Sequence, residues 1–234
     1  SSDDPIYKSI PLYISSGGAG GAYGVLLDNS WRSWFDFGAR EANVLSFGAE
    51  NGPVDFYVIA GPAIADVVRS YVALTGPAPL PPRWALGYQQ SRWSYMSEAE
   101  VRELATRLRA ERIPTDVIWL DIDFQDRNRP FTVDRRTFPQ FEAMVSDLLG
   151  MGISTVAIAD LHIARAPDEG YAAYDSGIAG DHFLRLASGE PYVGPVWPGP
   201  SVFPEFTRTA TRRWWGDQMA HLASSGIAGI WNDM

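Results

Sequence analysis

Val117-Ile118-Trp119-Leu120-Asp121-Ile122-Asp123 decides how the rest of the chain is read. Val117–Leu120 is an uninterrupted apolar run of the kind found in a strand buried on both faces, and carboxylates follow it at once. Upstream, Ser97 can cap a helix, with Glu100 three residues on to complete a capping box. Val101, Leu104, Ala105 and Leu108 then form one apolar face. Further upstream, Trp84 to Gln90 is an apolar run read as a first strand. Downstream, Phe141, Met144, Val145, Leu148 and Leu149 form a second helical face, stopped by Gly150 and Gly152. Thr155–Ala159 is a third apolar strand, residues 209–224 a third helix ending before Gly226, and Ile227–Trp231 a fourth strand. The first three strands start near residues 84, 117 and 155, about one βα unit apart, which predicts a parallel α/β fold. Four such units fit half of an eightfold (β/α) barrel; they also fit part of a doubly wound sheet. The third unit is long, with a stretch of about 164–206 rich in Gly, Pro and aromatic residues and read as an inserted loop.

The first 75 residues read differently. Ile10–Ile14, Tyr23–Leu27 and Val54–Ala60 are short extended runs separated by turn signals, and residues 63–74 carry helical spacing. Residues 76–82, Gly-Pro-Ala-Pro-Leu-Pro-Pro, are the candidate linker, because successive prolines stop both helix and ladder. The expected layout is therefore 1–75 as a β domain, 76–82 as linker and 83–234 as the α/β domain.

Composition narrows the chemistry. There is no cysteine, which excludes disulfides and thiolate metal sites. The net charge of −9, without a basic run, argues against a nucleic-acid partner. No window approaches the roughly 18 consecutive apolar residues that span a bilayer, and the N-terminus lacks the basic-then-apolar pattern of a signal peptide. Localisation is not readable. Nine Trp, ten Tyr and eleven Phe suit either a large aromatic core or a cleft that stacks on sugar rings.

The polar and aromatic residues that stand out follow the four strands: Trp93, Asp121 with Asp123, Asp160 with His162, and Trp231 with Asp233. In a barrel the C-terminal strand ends converge on the face that holds the active site. Clustered carboxylates without a histidine or cysteine metal set suit glycoside hydrolysis, hard-cation binding or acid–base isomerisation. Flanking tryptophans favour the first. No metal and no cofactor are expected.

Several longer stretches carry a family resemblance. Trp119–Asp123 with Phe131-Thr132 and Phe138-Pro139, and Ile158–Ile163 (IADLHI, where relatives usually have Pro at the place of Leu161), resemble strand signatures of glycoside hydrolase family 31. Val196–Thr207 with Trp214-Trp215, and Ile230–Met234 (IWNDM), resemble the family's later loop and nucleophile motif. Asp4–Ile14 and Tyr23–Gly38 resemble the end of its N-terminal β-sandwich. The resemblance implies the N-terminal part of a (β/α)8 TIM barrel, about four βα units, preceded by the end of an antiparallel β-sandwich. It implies a retaining, exo-acting α-glucosidase acting on a terminal α-glucoside or oligosaccharide, with a same-family transglucosylase or an inactive carbohydrate-binding barrel as alternatives. Asp233 would be the catalytic nucleophile. Asp121 would accept hydrogen bonds from sugar hydroxyls, and Trp93, Ile122, Ile163, Trp197, Trp231 and Met234 would wall the glucose subsite. Asp123, Asp160 and His162 match family positions and are expected either in the site or bracing strand ends. The acid/base carboxyl is expected in a further segment that completes the barrel.

Overall fold

A computed structural model describes residues 9–17 and 20–233. The start of the Asp4–Ile14 stretch and Met234, a candidate subsite residue, lie outside the described residues. The chain divides into two compact units between Leu80 and Pro81.

The first unit holds strands β1 (Leu12–Ser16), β2 (Ala22–Leu27), β3 (Ser33–Phe37), β4 (Leu45–Ala49) and β5 (Phe56–Gly61), then helix α1 (Ile64–Thr75). β1, β2 and β5 form an antiparallel sheet with β2 in the centre, and β3 and β4 pair as a separate antiparallel ribbon. Helix α1 packs its buried Val67 on Ala22 and Ile59. Gly24 permits that approach, since a Cβ there would meet Val67 Cγ1 at 2.8 Å. The ribbon goes beyond the three strands expected. Its sequences, SWFDF and LSFGA, show no clean alternation, and aromatic contacts such as Phe35–Phe47 (5.7 Å between ring centroids) hold it instead.

The second unit opens with a single 3-10 turn, Arg83–Leu86, where a strand from Trp84 was expected; only Gln89–Gln90 (β6) is extended enough to pair. Pro82 supplies the extended residue before the turn, and the chain leaves it at Gly87, whose Cβ would collide with the Asp116 side chain. Then follow α2 (Glu98–Ala110), β7 (Val117–Leu120), α3 (Phe141–Gly150), β8 (Ser154–Ile158), β9 (Ile163–Ala164), α4 (Ala172–Ala179), β10 (Gly194–Val196), β11 (Gly199–Val202), α5 (Thr209–Ala223) and β12 (Gly229–Trp231). Strands run in the order β12-β8-β7-β6, every pairing parallel. Both faces of β7 and β8 are covered, as a parallel sheet requires.

Ser97 caps α2 through its hydroxyl, which accepts from the Glu100 backbone N–H at 3.2 Å. The expected reciprocal bond is displaced: the Glu100 carboxylate accepts from the Met96 N–H at 2.8 Å, not from Ser97. Val101, Ala105 and Leu108 of α2 and Phe141, Met144, Val145 and Leu148 of α3 are buried against the sheet. Leu149, assigned to that apolar face, is exposed, because the helix turns it outward one position past Leu148. The stretch 164–206 is not an open loop. It contains β9, α4 and the β10–β11 hairpin around a core of its own that includes Tyr171, Phe183, Val202 and Trp214. Among the described residues no helix is long and apolar enough to cross a membrane.

Candidate active site

The register of the parallel strands brings three carboxyl groups together. Leu120 pairs with Ala157, and Ile158 with Trp231. Asp160 and Asp233 therefore stand at the same height, each two residues beyond the last paired rung of adjacent strands, roughly 5 Å apart by strand spacing. Asp121 leaves β7 in extended conformation (φ −83°, ψ −176°), level with Ile158. Side chains alternate along a strand, so Trp119 with Asp121, Ile158 with Asp160, and Trp231 with Asp233 project to the same side. The rings of Trp119 and Trp231 meet edge to face at 5.8 Å although β8 lies between their strands. That contact identifies the concave side of the sheet.

Electrostatics follow from this placement. Burial pushes the Asp160 carboxyl up to about 6, with the charges of Asp233 and Asp121 adding to it and the Trp197 indole acting in the opposite sense. Asp121 is also raised, first by burial and then by Asp123 and Asp233; the hydrogen bond from the Ile122 N–H to its Oδ1 (2.7 Å) opposes the rise. Asp160 is fully buried, and among the described residues neither of its oxygens receives a hydrogen bond. His162 is buried beside it, with Nδ1 3.8 Å from Asp160 Oδ2. Burial pushes the imidazole down to about 4, so near neutral pH it is uncharged.

The exposed indoles of Trp93 (71%) and Trp197 (50%) form a second aromatic pair, 6.0 Å between centroids. Trp197 sits in the turn of the β10–β11 hairpin, and Trp93 follows β6. Both offer faces to solvent. Ile122 and Ile163, assigned to the subsite wall, instead lie within the two hydrophobic cores; Ile163 has no exposed surface. Asp123 is half-buried beside Asp121. Two residues escaped sequence reasoning. Trp119 donates its indole N–H to Gln89 Oε1 at 2.9 Å and packs on Trp231; its position two residues before Asp121 was the available signal. Buried Gln125 donates to the Ile158 carbonyl at 3.2 Å and ties the loop after β7 to β8; nothing in its sequence context marks it. His182, half-buried, stacks on Trp214 at 5.0 Å. Among the described residues no group of three or more His, Asp or Glu is arranged to hold a metal ion.

The four parallel strands, with their helices and the carboxyls and indoles past their C-terminal ends, fit part of a (β/α) barrel. The sequence pattern of the glycosyl hydrolases family 31 TIM-barrel domain matches residues 78–234, and that of the glycosyl hydrolase 31 N-terminal galactose mutarotase-like domain matches residues 1–36. The chain belongs to glycoside hydrolase family 31. It is 44% identical over 231 residues to alpha-glucosidase 2 of Bacillus thermoamyloliquefaciens, covering 99% of this chain and 29% of that protein. It is 37% identical to the alpha-glucosidase of Saccharolobus solfataricus, over 99% of this chain and 33% of that one. Among solved structures it is similar to the family 31 dextranase of Flavobacterium johnsoniae complexed with glucose, with a TM-score of 0.88 and 30% identity over 99% of this chain and 28% of the dextranase. The chain thus spans about a third of the length of the curated relatives it matches.

Proposed function

We propose that the enzyme carrying this chain is a retaining, exo-acting α-glucosidase with Asp233 as nucleophile. The supporting observation is the alignment of Asp121, Asp160 and Asp233 on one side of three adjacent parallel strands, between the Trp119–Trp231 and Trp93–Trp197 pairs. The α-glucosidase relatives favour the same reading. A terminal glucosyl residue stacks its C–H face on an indole while its hydroxyls donate to the Asp121 carboxylate. The Asp233 carboxylate attacks the anomeric carbon from the face opposite the glycosidic oxygen. The C–O bond to the leaving group breaks, a carboxyl acid protonates the departing oxygen, and a glycosyl ester forms on Asp233. Water, deprotonated by the same carboxyl group, then attacks the anomeric carbon and releases glucose with retained configuration. No residue described here is assigned as that acid/base. Ile122 and Ile163 hold the wall indirectly, by packing.

The test is hydrolysis of a chromogenic α-glucoside by the complete enzyme. Asp233→Ala is expected to lower kcat by on the order of 10⁴-fold or more, as loss of a covalent nucleophile does. A fluorinated glucosyl substrate should leave its adduct on Asp233. Full activity of the variant, or an adduct on another residue, ends the assignment.

A further inference from the structure

Asp160 is a buried carboxyl group that the glycosylation steps above do not use. Three features of its surroundings bear on its state. It is fully buried, and neither oxygen accepts a hydrogen bond among the described residues. It stands level with Asp233 on the neighbouring strand, and Asp121 ends the strand on its other side. Among the described residues the groups that face it supply no cation. From β7 come Asp121 and, beyond it, Asp123; from β12 comes Asp233; from the β10–β11 turn comes the neutral Trp197 indole; on its own strand end sits buried His162. An ionised carboxylate there would have, among the described residues, the Trp197 indole alone to oppose its burial, no counter-ion and a carboxyl group on either side.

We propose that Asp160 is a positioning residue held as a neutral carboxylic acid, which keeps its negative charge out of the carboxyl cluster beside Asp233 and Asp121. This rests on the nucleophile reading given above. Like charges packed at this spacing raise one another's pKa, and the cluster relieves that repulsion at its most buried member. Asp160 at about 6 follows that order. A nucleophilic carboxyl must be ionised to attack, and a neutral Asp160 adds no charge against that. His162 cannot take over the role of counter-ion, because its own burial holds it uncharged.

Asp160→Asn replaces the acid with a neutral group of the same shape. In the complete enzyme it is expected to move the alkaline limb of the pH–rate profile upward by about one unit or more. A loss on the order of 100-fold at every pH, with both limbs unmoved, would show that Asp160 works as a carboxylate and would overturn the proposal. An unchanged profile with only a lowered Tm would also overturn it, leaving a purely structural role. A second measurement avoids dependence on the variant's folding. The infrared spectrum of the parent should keep a protonated-carboxyl C=O band above pH 5; its absence overturns the proposal. The two readings separate cleanly. If Asp233→Ala stays active, the nucleophile assignment has failed; if Asp233→Ala is dead and Asp160→Asn behaves as a lost carboxylate, only the neutral-acid inference has.

Discussion

Carboxylates occupy two regions of the second unit under opposite conditions. In the loops and helix surfaces many meet an arginine: Glu169 accepts from Arg129 (2.6 Å) and Arg127 (2.9 Å), Glu142 from Arg135, Asp134 from Arg136, and Asp147 and Glu98 from Arg102. The Arg135 guanidinium takes Glu142 to about 2, and Asp134 and Glu169 are lowered by their arginines as well. At the strand ends the direction reverses: burial raises both Asp121 and Asp160, with Asp123 and Asp233 adding to the first and Asp233 and Asp121 to the second. Residue type is the same in both regions. Neighbourhood alone separates a structural carboxylate from one placed to do chemistry. The arginines of this unit brace loops, and among the described residues none stands beside the strand-end carboxyls Asp121 and Asp160.

Breaking the rim should have the largest effect. Asp121→Asn keeps the shape and removes the charged acceptor, and kcat/KM for an α-glucoside is expected to fall about 100-fold, the range for a lost hydrogen bond to a charged group. Activity within threefold of the parent would remove Asp121 from the subsite. Breaking the braced region should cost stability instead. Glu169→Ala strands the guanidinium of Arg129, which is nearly buried over the Tyr171 ring, and an unfolding titration should show about 2 kcal/mol lost.

A third test sets the rim pair against itself. Asp160 has its pKa raised from 3.8 to about 6, so its contribution to stability is full below pH 3.8 and is lost as pH rises through 6. His162 is lowered from 6.5 to about 4, so its contribution is full above pH 6.5 and is lost as pH falls through 4. Between pH 4 and 6 the slopes oppose, since the folded pair carries its one proton on Asp160 and the unfolded pair carries it on His162. Relative to the parent, His162→Asn should therefore lose stability as pH climbs from 4 to 6. Asp160→Asn should gain it across the same interval, each by on the order of 1 kcal/mol per pH unit. Parallel Tm–pH curves for parent and variants would refute this buried neutral pair. The smallest effect belongs to the exposed brace. Arg135→Ala should cost less than about 1 kcal/mol at neutral pH, because both partners of the Glu142 pair are half in water. The depressed Glu142 makes that contribution one that is present above pH 4.5 and fades as pH falls toward 2.

Much of this was readable in advance, for a local reason. Strand β7 and helices α2 and α5 follow from runs and spacings that need no distant partner. The motif stretches led to Asp121, Asp160 and Asp233 because a side chain just past a parallel strand is delivered to one edge of the sheet wherever the rest of the chain goes. Other features were decided only in three dimensions. The 3-10 turn at Arg83–Leu86 depends on the close approach of Gly87 to Asp116, residues far apart in sequence. The β3–β4 ribbon depends on cross-strand aromatic packing, and the order inside the 164–206 insertion on a core gathered from its whole length. Ile122 and Ile163 carry the same apolar side chain whether they line a cleft or fill a core, and packing put them in the core. The protonation of Asp160 has the same origin. Sequence alone determines that a carboxyl group stands there; burial, strand register and the want of a nearby cation decide whether it carries a charge, because those depend on what the fold brings beside it.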